Sequence, residues 1–274
     1  MGKGDNLNTA RKIYICLVAY IITMAVLLIS RLLNFYEILA FIVTSVLLGA
    51  FSLIMMRGKK REESQLKERK KRMYSALFFT AWLLAAIPFI LLGDYFAQKS
   101  SMGWDVGFLT QGMGNALVWV GAVAAPISYQ LFFNELLLDL LQDSLGKKIG
   151  AFATSLCFTL YFADIRLFLA LIALDLVLIS IGKISKINGY LFSCLSSVLI
   201  VLILMVISGE YAGGVSFGLG NIIGMLLIFL TISFVIIYMM GRDHSKKEVS
   251  YVETLAVSLI SLLVLLIGCL IVTL

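Results

Sequence analysis

Among the side chains of this 274-residue chain that could hold a metal or move a proton, one group lies along a single stretch in its middle. Glu135, Asp139 and Asp143 recur every four residues, Asp164 and Asp175 follow, and the thiols of Cys157 and Cys194 stand among them. Carboxylates can act as general bases and thiolates as metal ligands. A catalytic zinc, however, takes about three protein ligands, commonly imidazoles, and the sole histidine, His244, falls in a polar segment near the end of the chain that reads as a loop. The four-residue spacing places Glu135, Asp139 and Asp143 on one helix face, the ordinary pattern of a solvated amphipathic segment. Cys16, Cys157, Cys194 and Cys269 show no CxxC spacing and read as small apolar residues. Walker, GxGxxG and GxSxG motifs and fixed-period repeats are absent from the sequence.

Asp175 stands apart. It lies midway along "RLFLALIALDLVLISIG", where a charge costs about 2.5–3.5 kcal/mol on membrane-insertion scales. Such a residue is expected to face a polar interior, to pair or to be neutral, with Gln130, Asn134, Tyr129 or Asn188 as partners. An interhelical hydrogen bond is the first expectation for it, and a ligand or proton site the second.

The elements that carry these residues are apolar helices. Hydrophobic residues make up 61% of the chain, charged residues 14%, and the mean hydropathy is +1.02, more apolar surface than a water-facing domain of this length can hide. The pattern predicts an all-α polytopic transmembrane bundle forming a single domain over 1–274, with spans at 13–33, 36–56, 73–92, 108–133, 149–163, 167–181, 190–207, 219–240 and 255–274. A helix rising about 1.5 Å per residue needs roughly 20 residues to cross the hydrocarbon. The fifth and sixth spans are short enough to be tilted or re-entrant, so eight or nine crossings are expected. The first reads as a retained anchor rather than a cleaved signal. With a cytoplasmic amino terminus, 19 of the 22 basic residues face inward, all but Arg31, Lys99 and Arg166, as the positive-inside rule favours. On nine spans the carboxyl terminus lies outside.

The charged block "RGKKREESQLKERKKR" at 57–72 reads as a helical cytoplasmic connector. Its Lys59, Lys60, Arg61, Arg69, Lys70, Lys71 and Arg72 could contact anionic lipid, each basic residue contributing about 1 kcal/mol near the surface. The net charge of +6 follows this topological bias, and nucleic-acid binding is not expected. Gln111, Asn115 and Asn221 read as interhelical hydrogen bonders; Trp104, Trp119, Tyr190 and Tyr251 read as interfacial anchors.

From Ala125 onward, "APISYQLFFNELL", "GKKIGAFATSLCF" and the helix that follows resemble the CPBP family of CAAX-type prenyl-protein proteases and their bacteriocin-processing or self-immunity relatives. Ala125, Pro126 and Ile127 match the entry to the family motif, Leu131 and Phe133 match its apolar frame, and the Ser155-to-Phe158 spacing matches the next helix. The resemblance implies a CAAX-protease-like core over about 108–209. The family's two glutamates correspond to Tyr129 and Gln130, its arginine to Asn134 and the following glycine to Glu135. Its first histidine falls on Phe162, and its second near Cys194 or Leu195, with Val198 or Leu199 in place of asparagine. In the family a glutamate activates water while histidines and asparagine position a metal or stabilise the oxyanion. Phenylalanine and an amide supply neither a base nor a ligand.

The expectation is therefore a CPBP-like frame without catalysis or cofactor, in a bacterial or archaeal plasma membrane. Its cavity, lined by Tyr129, Gln130, Asn134, Phe158, Phe162, Asp175 and Asn188, would bind a hydrophobic peptide, a lipid tail or a partner membrane protein, in self-immunity or regulation. Two alternatives stand beside it: a divergent metalloendopeptidase, which would need zinc, and a permease or transporter subunit.

Overall fold

A computed structural model describes residues 3–33, 37–57, 68–100, 116–162, 166–208 and 219–245, together with Ile260, Ser261, Val264 and Ile267. The helices are α1 (Lys3–Leu32), α2 (Glu37–Met55), α3 (Glu68–Ser100), α4 (Ala116–Tyr129), a π-helical stretch (Gln130–Leu137), α5 (Leu138–Leu145), α6 (Lys147–Phe162), α7 (Phe168–Ile184), α8 (Lys186–Ser208) and α9 (Leu219–Ser245). Because α4, the π stretch and α5 are continuous, the described residues form eight rods, and no strand occurs among them. Each of the first eight expected spans overlaps one rod. The stretch 108–115, Asp164 and most of 255–274 lie outside the described residues.

Three helical stretches are long and apolar enough to cross a membrane, Thr9–Ser30, Lys70–Phe96 and Lys186–Ile203, and two shorter ones, Leu39–Met55 and Leu219–Val235, are also apolar. At 16 and 17 residues, α6 and α7 are about 24 and 26 Å long, short of a hydrocarbon core of roughly 30 Å. The outer surface carries large apolar side chains such as Ile21, Leu47, Ile54, Ile187 and Leu191. An exterior of that kind is compatible with a bilayer.

The chain turns sharply at two points that fix the functional region. Gly146, with φ +85°, breaks the rod between α5 and α6, a conformation that a Cβ disfavours. Ser185 is extended between α7 and α8. In the bundle, α3 packs on α7 and α9, α4 on α2 and α8, and α6 on α5 and α7. Side chains tie the layers to distant backbone: Trp82 Nε1 donates to the Ala170 carbonyl at 3.1 Å, Ser233 Oγ to Ala81 at 2.7 Å and Tyr20 Oη to Cys157 at 2.8 Å. At one end of the bundle Arg166 approaches Asp94 at 4.0 Å.

Two expectations are corrected here. His244 lies in the last turn of α9 rather than in a loop, because the helix continues past the apolar stretch into "GRDHS". Asn221 is exposed at the start of α9, where its amide can be solvated without an interhelical partner.

Gly150 is buried where α6 meets α5, and a Cβ there would stand 2.7 Å from the Gln142 nitrogen and 2.8 Å from the Leu141 carbonyl carbon. Backbone cannot yield as a side-chain tip can. Gly150→Ala is expected to lower stability by about 1–3 kcal/mol, read as a lower unfolding midpoint in detergent. Gly220→Ala, which meets open space, is expected to leave the midpoint unchanged or raised.

Candidate functional site

Tyr129, Phe158 and Phe162 come together, although they are spread over α4 and α6. Ring centroids lie 6.0 Å apart for Tyr129 and Phe158, 5.4 Å for Tyr129 and Phe162, and 5.2 Å for Phe158 and Phe162, all edge to face. Phe41 from α2 and Tyr161 extend the cluster to Tyr129 at 5.9 and 5.2 Å. Such pairs contribute about 0.5–1.5 kcal/mol each beyond area burial. The Tyr129 hydroxyl is engaged 2.8 Å from Ser45 Oγ, and the Tyr161 hydroxyl donates to Thr44 at 3.0 Å.

This aromatic wall borders a cleft of about 50 Å³ between α2, α4, α6, α7 and α8. Gly121, Ala122 and Ala125 form its floor, Leu167, Leu171 and Leu174 one side, and Ser193, Ser196, Ser197, Ile200 and Val201 the other. Most α4 lining residues are small, and the rings of Phe41, Tyr129, Phe158 and Phe162 border the same space. Cys194 is off this wall: half-buried, it points its thiol at the Val123 carbonyl 3.5 Å away.

Gln130 and Asn134 do not join that cleft. They sit on the π-helical stretch, whose winding is fixed by the Leu138 N–H bonding to the Phe133 carbonyl five residues back. π winding is rare, and where it occurs as a bulge within an α-helix it is frequently at a functional site. Asn134 Nδ2 donates to Gln130 Oε1 at 3.0 Å, and the Gln130 amide fits between α7 and α8 because a glycine stands at 189, where a Cβ would lie 3.0 Å from Gln130 Nε2. With Glu135, Ile179, Gly182, Lys183 and Lys186 they line a polar crevice of about 10 Å³, near the smallest space that admits one water.

Glu135 is buried, contrary to the solvated face its spacing suggests. Tyr190 Oη donates to its Oε1 at 2.9 Å, and Lys186 Nζ to its Oε2 at 3.3 Å. The i, i+4 argument presumes 3.6 residues per turn, whereas the π winding turns Glu135 inward; Asp139 is half-buried and Asp143 exposed. Tyr190 is accordingly an interhelical donor to Glu135, rather than only an interfacial anchor.

Asp175 is fully buried on α7. Its Oδ2 accepts from Ser155 Oγ of α6 at 2.8 Å, the Asn134 side chain interacts with the same carboxyl, and Oδ1 has no partner. Of the four expected partners only Asn134 is present. Ser155, singled out by spacing alone, is the second; no sequence signal assigned it to Asp175. Asn188 lies elsewhere and donates to Ser75 at 3.0 Å. Among the lipid-contact candidates, Lys70 and Arg72 are exposed and Lys71 is buried; Lys59, Lys60 and Arg61 and the side chain of Arg69 lie outside the described residues.

Among the described residues, no three His, Cys, Asp or Glu side chains gather as a metal-ligating group. No family model, curated protein or solved structure matches the chain.

The Tyr129–Ser45 bond predicts a measurable coupling. Tyr129→Phe and Ser45→Ala are each expected to cost about 0.5–1.5 kcal/mol. The double variant should cost less than their sum, because both remove the same bond; denaturant titration in micelles reads the cycle.

Proposed function

We propose that this protein is a polytopic membrane scaffold of CPBP-like frame, with eight or nine spans and an inward amino terminus, that binds apolar groups and performs no proteolysis. The observation that carries the reading is the cleft itself. Its walls are mainly hydrocarbon and aromatic rings, Ser193 and Ser196 among them donate to backbone carbonyls, and its tyrosine hydroxyl is engaged by Ser45. At the positions where the resembling family has an acid and an imidazole, Tyr129 and Phe162 offer packing surface, which can clasp but cannot take up a proton from water.

Volume narrows the ligand. Sites for whole drug-sized molecules are about 300–1,000 Å³, whereas this cleft is about 50 Å³. It fits the tip of a lipid tail, or one side chain of a hydrophobic peptide or partner transmembrane helix. Binding of that kind would act by sequestration or by changing the partner's stability, as a self-immunity or regulatory membrane protein requires. The exposed Lys70 and Arg72 at the start of α3 would hold anionic headgroups at the inner surface.

Photolabelling tests this. A diazirine-bearing fatty acid in nanodiscs is expected to label α6 and α7 near Phe158 and Leu171, and Ala122→Phe, which fills the cleft floor, to weaken labelling about tenfold, or ~1.4 kcal/mol. Purified protein is expected to carry lipid or a membrane partner. Stoichiometric zinc, with cleavage of a peptide that chelator abolishes and zinc restores, would instead establish a metalloendopeptidase; solute flux in vesicles would establish a permease.

A further inference from the structure

A second site lies beyond the apolar cleft. We propose that Asp175 is a reversible proton-binding site, reached from the bundle end where Glu135 and Lys186 meet. The carboxyl is fully buried, and one of its oxygens, Oδ1, contacts no donor. Its other oxygen accepts from Ser155, so the group is held in place without being neutralised. No lysine or arginine among the described residues forms an ion pair with it.

A buried carboxylate without a countercharge calls for one positive charge, and the surroundings decide which. A proton needs one oxygen, and Asp175 Oδ1 supplies it; a metal cation would need several oxygens around it, and the dependence on sodium distinguishes the two. Asn134 joins Asp175 to the polar crevice that Gln130, Glu135 and Lys186 share. That crevice is about 10 Å³, room for about one water to pass a proton. The connecting residues lie on the π-helical stretch, the kind of local rewinding often found where a site must be shaped.

The charged and titratable groups facing this path come from α6, the π stretch, α7 and α8, with Tyr190 of α8 donating to Glu135. Cys157 of α6 is within electrostatic range of Asp175. Glu135 of the π stretch is paired with Lys186 of α8, and Lys183 of α7 lines the same crevice. Proton uptake adds one hydrogen to Asp175 and changes nothing else covalently. Because Ser155 and Asp175 bridge α6 and α7, occupancy of the site would alter how firmly those helices are joined.

Infrared difference spectroscopy of the full-length protein in nanodiscs, titrated in pH, tests the assignment. A carboxylic C=O band that fades as pH rises, is lost in Asp175→Asn and persists in Glu135→Gln is the expected result. Asp175→Asn keeps an oxygen for the Ser155 bond; should it fail to fold, Ser155→Ala must shift the same band, since it removes the donor. A titration unchanged by both variants, a band that stays constant across the folded pH range, or a group whose state follows sodium rather than pH when sodium replaces choline would each overturn the proposal.

Discussion

Inside a bundle of apolar helices, polar side chains have no water to bond, and the packing of α2 with α4 to α8 is organised by that shortage. Apolar faces attract one another with little preference for register, because one leucine contact resembles the next. Hydrogen bonds across the interior do specify register. Ser45 with Tyr129 and Thr44 with Tyr161 tie α2 to α4 and α6, over 84 and 117 residues of chain. Asp175 with Ser155 ties α7 to α6, and Glu135 with Tyr190 and Lys186 ties the π stretch to α8. Each bond answers a cost that would otherwise fall on both partners.

The π-helical stretch converts that constraint into two separate environments. Up to Tyr129 the α4 helix presents small residues and an aromatic ring to the cleft. Beyond it the wider winding carries Gln130, Asn134 and Glu135 toward α7 and α8. Glu135 on this winding bonds Tyr190 and Lys186, while Asp139 on the following α turn is half-buried and Asp143 exposed. One local change in helix type therefore separates an apolar chamber from a polar crevice a few residues along the same rod.

That separation sets what could be read from the sequence. Helix positions were legible because hydropathy is a property of each segment alone, and the rods from α1 to α9 overlap the expected spans. The aromatic character of Tyr129, Phe158 and Phe162 was legible too, and the structure joins them. Partner choice was not. Ser155 and Asp175 meet because α6 and α7 are antiparallel neighbours with a given rotation, which no periodicity within either helix encodes. Glu135 was misread because the face of a helix depends on its winding, and nothing in "QLFFNELL" announces five-residue bonding. Asn188, expected as a partner of Asp175, and Cys194, matched to a family position by resemblance, are instead turned by rotation about α8 to Ser75 and Val123.

The same packing decides which substitutions the aromatic cluster would tolerate. An acid at Tyr129 would give up the phenol's bond to Ser45 and open the edge-to-face contacts with Phe41, Phe158 and Phe162. An imidazole at Phe162 would meet rings on several sides and no ligand opposite, since Cys194 faces Val123. Each single step thus gives up aromatic contacts of about 0.5–1.5 kcal/mol apiece before any metal could repay them. A chamber packed this way resists single polar substitutions at Tyr129 or Phe162, because each ring is held by others from several sides.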